Sequence, residues 1–181
     1  MHVNRGLFNV FFRCGIFTKE VKMEKNYEYV SIETCDGTIL DGDALLYDKN
    51  RLSELFNDAS IYFIVMENTI DDSGTKKDKL FINKDLIVWA APRDVKHTNQ
   101  DSYIDNKEYV EISIKTIDGL IINGKVNLQI FRNLDEMLRY TSLAPFVVLI
   151  NTHDNRGSFH HTLFMNKTAI IQIEVGMPLS S

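Results

Sequence analysis

The chain has 181 residues, a formal net charge of -5 and 44% apolar residues. That is an ordinary composition for a globular protein in water, and no apolar stretch reaches the length of a membrane-spanning helix. Its two cysteines, Cys14 and Cys35, exclude a disulfide framework and fit a reducing, cytoplasmic setting.

Residues 1–22 stand apart from the rest. They carry Arg5, Arg13, Lys19 and Lys22 against Glu20 alone. Their apolar run, Gly6 to Phe12, is interrupted by Asn9 and closed by Arg13, which is too short for a secretory core. Phe and Leu interleaved with Arg would suit a membrane-surface helix. A third reading fits better. Lys19-Glu20-Val21-Lys22-Met23 can be encoded with a GAGG element just ahead of an ATG, the pattern of a bacterial ribosome-binding site. The expectation is that translation starts at Met23, that residues 1–22 are a misassigned leader or a disordered segment, and that the source is bacterial.

Beyond this segment the chain repeats itself. Val30 to Ser60 matches Ile112 to Ser142 at an offset of 82 residues, and Phe63 to Ala90 matches Phe146 to Ile173 at an offset of 83. Two units result, 27–92 and 109–175, separated by a polar linker over 93–108. Each unit is short enough to have little core to spare.

In chain order, each unit predicts the same elements. Val30, Ile32 and Thr34 alternate with Ser31 and Glu33, as Ile112, Ile114 and Thr116 do with Ser113 and Lys115, the period of a half-buried strand. Asp36-Gly37 and Asp118-Gly119 then mark a hairpin turn, because glycine accepts positive φ. Ile39 to Leu46 and Ile121 to Leu128 read as the partner strand. The recurring Gly42 and Gly124 inside it suggest a bulge or a close backbone approach. Leu52, Leu55 and Phe56, and later Leu134, Met137 and Leu138, have helical spacing, with Asn50 and Asn133 placed as N-caps. Ile61 to Met66 and Phe146 to Ile150 read as buried strands. A second turn follows around Gly74 and Gly157. Leu80 to Ala90 and Leu163 to Ile173 close each unit as a strand, or as a pair bent at Asn83-Lys84 and Asn166-Lys167. The fold class is mainly β (α+β), a tandem duplication of a β-β-α-β-β unit, each a curved sheet or a small barrel, since closure removes exposed edges. Cys35, matched by Ile117, is expected to be a small core residue.

Charge is shared unequally. Residues 27–92 hold 6 basic and 13 acidic side chains, a net of 6 − 13 = -7, whereas residues 109–175 hold 6 of each. An acidic first unit disfavours a generic phosphate-binding surface.

Three clusters could carry chemistry. His153, Asp154, His160 and His161 lie near one hairpin and could converge on a transition metal; a solvated hairpin tip is the plainer reading. Asp41, Asp43 and Asp48, and likewise Asp71, Asp72 and Asp78, are carboxylates that could hold a divalent cation or serve as acid and base; exposed acids on hairpins need no function. Trp89 could mark an interface, but packing against the other unit is the ordinary alternative. The chain has no phosphate-binding glycine loop, nucleophile elbow or paired-cysteine zinc motif, so neither catalytic nor metal-binding residues are assigned and no cofactor is expected.

The Asp-Gly turn between two apolar strands, the central glycine and the later Asn-Lys bend resemble the Sm-like small-barrel pattern. The residues are Asp36-Gly37, Gly42 and Asn83-Lys84, then Asp118-Gly119, Gly124 and Asn166-Lys167. Arg51 to Asn57 also resembles a segment of uncharacterised bacterial tandem-domain proteins. Two departures matter. The helix falls in the middle of the unit, where Sm-like chains carry it at the N-terminus, and the Asp-x-apolar-x-Asn loop that reads RNA in that family is not matched. The resemblance implies a small barrel and, as an alternative function, an RNA-binding module. The leading expectation is a non-enzymatic, cytoplasmic bacterial protein that works through protein contacts, with itself or another chain, in assembly or regulation. A third reading is a small-ligand or metal-binding protein using the cleft between the units or the His153–His161 loop.

Overall fold

The computed structural model describes residues 26–93, 108–128, 131–140 and 144–176. The expected leader, and the linker apart from its two end residues Arg93 and Glu108, lie outside them. The structure is mainly β. Its first half contains β1 (Tyr27–Thr34), β2 (Ile39–Leu45), α1 (Leu52–Asn57), β3 (Phe63–Asp71), β4 (Lys76–Asn83) and β5 (Ile87–Pro92). Its second half contains β6 (Tyr109–Thr116), β7 (Ile121–Asn127), α2 (Leu134–Tyr140), β8 (Phe146–Asp154), β9 (Phe159–Asn166) and β10 (Ile170–Val175). A one-turn 3-10 helix bends the chain between β4 and β5 and again between β9 and β10.

All ten strands join one antiparallel sheet in the order β10-β6-β7-β8-β9-β5-β1-β2-β3-β4. Each half therefore has the same internal order, its fifth strand beside its first, followed by the second, third and fourth. Neither half closes on itself. The sheet passes from one to the other where β5 pairs with β9, Trp89 opposite Met165 and Ala90 opposite Phe164. It ends at β4 on one side and β10 on the other. A barrel closed within each unit is not what forms: the fourth strand of the second half takes the fifth strand of the first as its partner.

The turn and the glycine within β2 show why these positions recur. Gly37 adopts φ 84°, and the Asp36 carboxylate accepts from the Thr34 hydroxyl at 2.6 Å and the Thr38 amide at 3.1 Å. Further along β2, the register slips by one residue between Asp41 and Asp43, where they oppose Ile70 and Glu67. The extra residue is accommodated by Asn68 at φ 53°, and β3 closes so tightly on Gly42 that a Cβ there would stand 3.0 Å from the Glu67 carbonyl oxygen and the Thr69 Cα. Asn151 at φ 50° and Gly124 repeat the bulge in β7 and β8. Such a bulge bends the strand and strengthens its twist.

Both cores are shared between the halves. Phe56 of α1 is fully buried, with ring centroids 5.0 Å from Phe146 and 5.4 Å from Phe164 of the second half. Burying one such side chain is worth about 2–3 kcal/mol. Conversely, Val88, Trp89 and Ala91 of β5 pack with Ile114, Leu149 and Met165 of the second half.

Three local expectations need correcting. β3 runs on to Asp71 and β4 starts at Lys76, so a hairpin extends past the apolar run; on β4 both faces of Lys76 to Lys79 meet solvent, while on β3 the polar Thr69 stays buried. Cys35 is exposed, not core, because it sits in the turn after β1, and its counterpart Ile117 is also exposed. Asn133 caps α2, accepting from the Glu136 amide at 2.8 Å, but the cap position of α1 is Arg51, whose side chain does not cap the helix; there Glu54 reaches back to the Asn50 amide at 3.1 Å.

A Cβ at position 124 would stand 2.6 Å from the Thr152 Cγ2. Gly124→Ala should therefore lower stability by about 1–3 kcal/mol, measured by denaturant unfolding. Thr152→Ser removes the obstructing methyl and should recover most of that loss in the double variant. Gly42→Ala meets backbone atoms instead, so no side-chain truncation should rescue it.

Candidate functional site at the junction of the halves

The junction gathers more polar interactions than its two residue pairs require. Glu33 lies on β1 with its side chain 1% exposed. Its carboxylate accepts from the Trp89 indole N–H of β5 and, at 2.7 Å, from Arg156 in the β8–β9 turn. Arg156 also donates to Asp118 in the β6–β7 turn at 3.1 Å. A buried carboxylate is tolerable only when its charge and lone pairs are satisfied. Here a guanidinium from the second half supplies the counter-charge for an acid of the first. The hydrogen bond to Glu33 raises the Arg156 pKa further, so its charge is fixed.

Two side-chain amides complete the seam. Asn166 donates to the carbonyls of Lys84 at 3.2 Å and Ile87 at 2.8 Å, and Asn57 accepts from the Phe146 amide at 2.9 Å. Lys84 is buried as well and donates to the Asp58 carbonyl at 2.6 Å. Burial pulls its pKa down against the nearby Asp58 and Asp85.

The histidine cluster does not converge. His153 stands opposite Phe159 and Thr152 opposite His160 in the hairpin register. Alternation therefore puts His153, Phe159 and His161 on one face and His160 on the other. The first three rings pack in a row, His153 tilted against Phe159 at 4.7 Å and Phe159 edge-to-face with His161 at 4.8 Å. His160 instead packs on Trp89 at 5.1 Å. Asp154 accepts from the amides of Arg156 at 2.9 Å and Ser158 at 2.7 Å, which shapes the turn. Among the described residues no three His, Cys, Asp or Glu side chains are placed to hold a metal ion.

The aspartates are likewise engaged one at a time. Asp41 accepts from the Ser31 hydroxyl, and both its carboxylate oxygens accept from the Arg93 guanidinium, at 3.1 and 3.0 Å. Asp43 accepts from Asn68 at 2.8 Å. Asp48 is exposed beside Lys49 at 3.6 Å. Asp71 accepts from Ser73 and Thr75 within its own turn. Asp72 and Asp78 lie exposed on the same hairpin. Trp89 is buried against the second half, the ordinary role for a strand aromatic.

Two concavities flank the junction. The smaller, of about 420 Å³, is bordered by Trp89, Arg93, Arg156, His160 and His161. Both of its guanidiniums already face carboxylates, so it offers no uncommitted cation to a phosphate. The larger, of about 1180 Å³, lies on the helix side and is lined from both halves by Leu52, Ala144, Phe146, Val148 and Phe164 among others. Among the described residues no helix is long and apolar enough to cross a membrane.

Sequence reading gives Glu33 and Asn166 only backbone roles, in a strand and a bend, and gives Arg156 none. One signal was available: the copies differ in concert, with Glu33 replaced by Lys115 and Arg156 by Ser73.

Arg156→Ala should cost about 2–3 kcal/mol, because it leaves a buried carboxylate without its counter-charge. Adding Glu33→Gln to that variant removes the buried charge and should restore more than half of the loss in a double-mutant cycle. The pH response follows from His160, whose pKa burial holds below the ordinary 6.5, with Asp154 opposing and Arg93 assisting. A histidine kept neutral in the fold binds more protons when unfolded, so stability falls as the pH drops below the unfolded value. His160→Phe keeps the ring on Trp89, and between about pH 7 and pH 5 it should lose less unfolding free energy than wild type.

No protein-family model matches the chain, and comparison with curated proteins and with solved structures finds no match.

Proposed function

We propose that this is a non-enzymatic protein that acts through protein–protein contacts as an assembly or regulatory component. The two halves are read as tandem copies of one small β unit whose Asp-Gly turn, central glycine and Asn-Lys bend are similar to the Sm-like pattern. The observation that carries the proposal is the open sheet. Its two end strands, β4 and β10, each have a neighbour on one side only and keep exposed apolar side chains, Phe81 at 65%, Ile171 at 61% and Val175 at 61%. An exposed edge with apolar side chains is a template for another polypeptide backbone. Asp41, one of the candidate carboxylates, is taken up by Arg93, and the buried Glu33 is neutralised by Arg156, which also meets Asp118.

The test is purification at low salt without a tag. The protein should carry a polypeptide, itself or another chain, and show the 260/280 nm absorbance ratio of pure protein at low and high salt alike. Nucleic acid that co-purifies and is released by raising the salt would replace this reading with an RNA-binding module, since phosphate contacts weaken steeply with ionic strength. Stoichiometric metal in the same sample would replace it with a metal-binding protein.

A further inference from the structure

The junction between the halves is a worked example of how this chain joins one sheet edge to another. It unites the fourth strand of one half with the fifth strand of the other. The two strands left at the ends are of the same two kinds: β4 is the fourth strand of the first half, and β10 the fifth of the second. The chain thus contains one completed joint and both parts of a second.

We propose that copies of this chain associate head to tail, the β4 edge of one copy adding to the β10 edge of the next in the register that β9 and β5 already use. This inference rests on the protein-contact reading above and names the partner as a second copy. Moving the observed pairs by the repeat offset of 83 residues sets Ile82 opposite Gln172 and Phe81 opposite Ile173.

Three observations support this pairing. The first is burial. Phe164 is 5% exposed in the internal joint, but its counterpart Phe81 is 65% exposed; Val88 is 1% exposed, but its counterpart Ile171 is 61% exposed. The free edges retain apolar side chains where the joined edges bury theirs. The second is Asn83. Its backbone (φ -63°, ψ 120°) matches that of Asn166 (φ -69°, ψ 125°), and each carboxamide oxygen accepts from the amide two residues on, at 3.0 and 3.1 Å. Asn166 then sends its NH2 across the joint to the Lys84 and Ile87 carbonyls. Among the described residues the NH2 of Asn83 has no acceptor, and in the next copy the equivalent carbonyls belong to Lys167 and Ile170. The third is charge. Glu33 meets Arg156 in the internal joint; the equivalent positions are Lys115, which is exposed, and Ser73, which adjoins Asp71 and Asp72. In the second joint Lys115 would face the turn that carries Asp72, an acid–base contact of the opposite polarity.

Charge also selects the arrangement. β4 carries Lys76, Lys77 and Lys79 against Asp78 alone. Two β4 edges paired with each other would bring these lysines into one ribbon, and like charges facing across strands are unfavourable. In the head-to-tail register the lysines lie beyond the two pairs that form the joint.

The experiment uses the full chain and two variants at exposed positions, Phe81→Asp on β4 and Ile171→Asp on β10, with circular dichroism confirming that both are folded. Mass is measured by light scattering as a function of concentration. Wild type should run as an oligomer. Each variant alone should run as a monomer, and a mixture of the two should form a 1:1 dimer, because only one sound joint is available. As a second readout, Lys115→Glu should weaken wild-type association about threefold, the size expected of one exposed ion pair, and Asp72→Lys in the same chain should restore it. Wild type that stays monomeric, or a single variant that still dimerises, would overturn the proposal. A monomer that nonetheless carries a different polypeptide after low-salt purification would sink the self-partner alone and leave the protein-contact reading standing.

Discussion

The structure depends on one short strand pairing. β5 and β9 meet over only two residue pairs, yet the sheet, both cores and the seam of polar bonds pass through that contact. Two residue pairs would be marginal by themselves in water. They hold because Phe56 crosses to Phe146 and Phe164, Trp89 crosses to the second core, and Arg156 neutralises a carboxylate that is otherwise sealed from solvent. Neither half buries its own apolar surface completely without the other.

Strong polar groups serve position here more than chemistry. Glu33, Lys84 and Asn166 are all buried, and each is tied to a partner in a different element. Buried polar groups of this kind add little net stability, but they penalise every alternative register, because a slipped strand would strand them without partners. For a sheet assembled from two similar halves such discrimination matters. The asymmetry of Glu33 and Arg156 against Lys115 and Ser73 distinguishes the proper joint from a joint of either half with a copy of itself.

Much of the local architecture could be read from the residues. Alternation in Val30–Thr34, the Asp-Gly turns, the glycine within β2 and the apolar spacing of α1 each report a backbone requirement that acts over a few residues. The long-range layout could not be read that way. Nothing in the period of β5 or β9 states which strand lies beside which, because both are apolar on the relevant face, and closing each unit on itself satisfies the same pattern. The outer part of the β3–β4 hairpin escapes a sequence reading for a related reason: Lys76 to Lys79 has both faces in solvent, and Thr69, buried on the outer β3, is polar. Cys35 shows the converse error, where a match to Ile117 suggested core although both positions sit at a turn. The histidines of the β8–β9 hairpin looked like a group in sequence and are separated by the pleat of the sheet.

The position of β5 in the chain has a consequence for folding order. The first half is complete once Pro92 has been made, but β9, which covers β5, is made only after the linker and four further elements. Domains generally fold as they emerge, N-terminal part first. During synthesis the edge from Ile87 to Ala91, all of it apolar, therefore stands open until residues 159–166 arrive. The nascent chain passes through an interval in which a strand meant for its own C-terminal half is available to other strands, including those of neighbouring chains on the same message. The polar, lysine-rich start of β4 guards one side of that intermediate. On the β5 side the safeguard is time: the sooner the second half follows, the shorter the exposure.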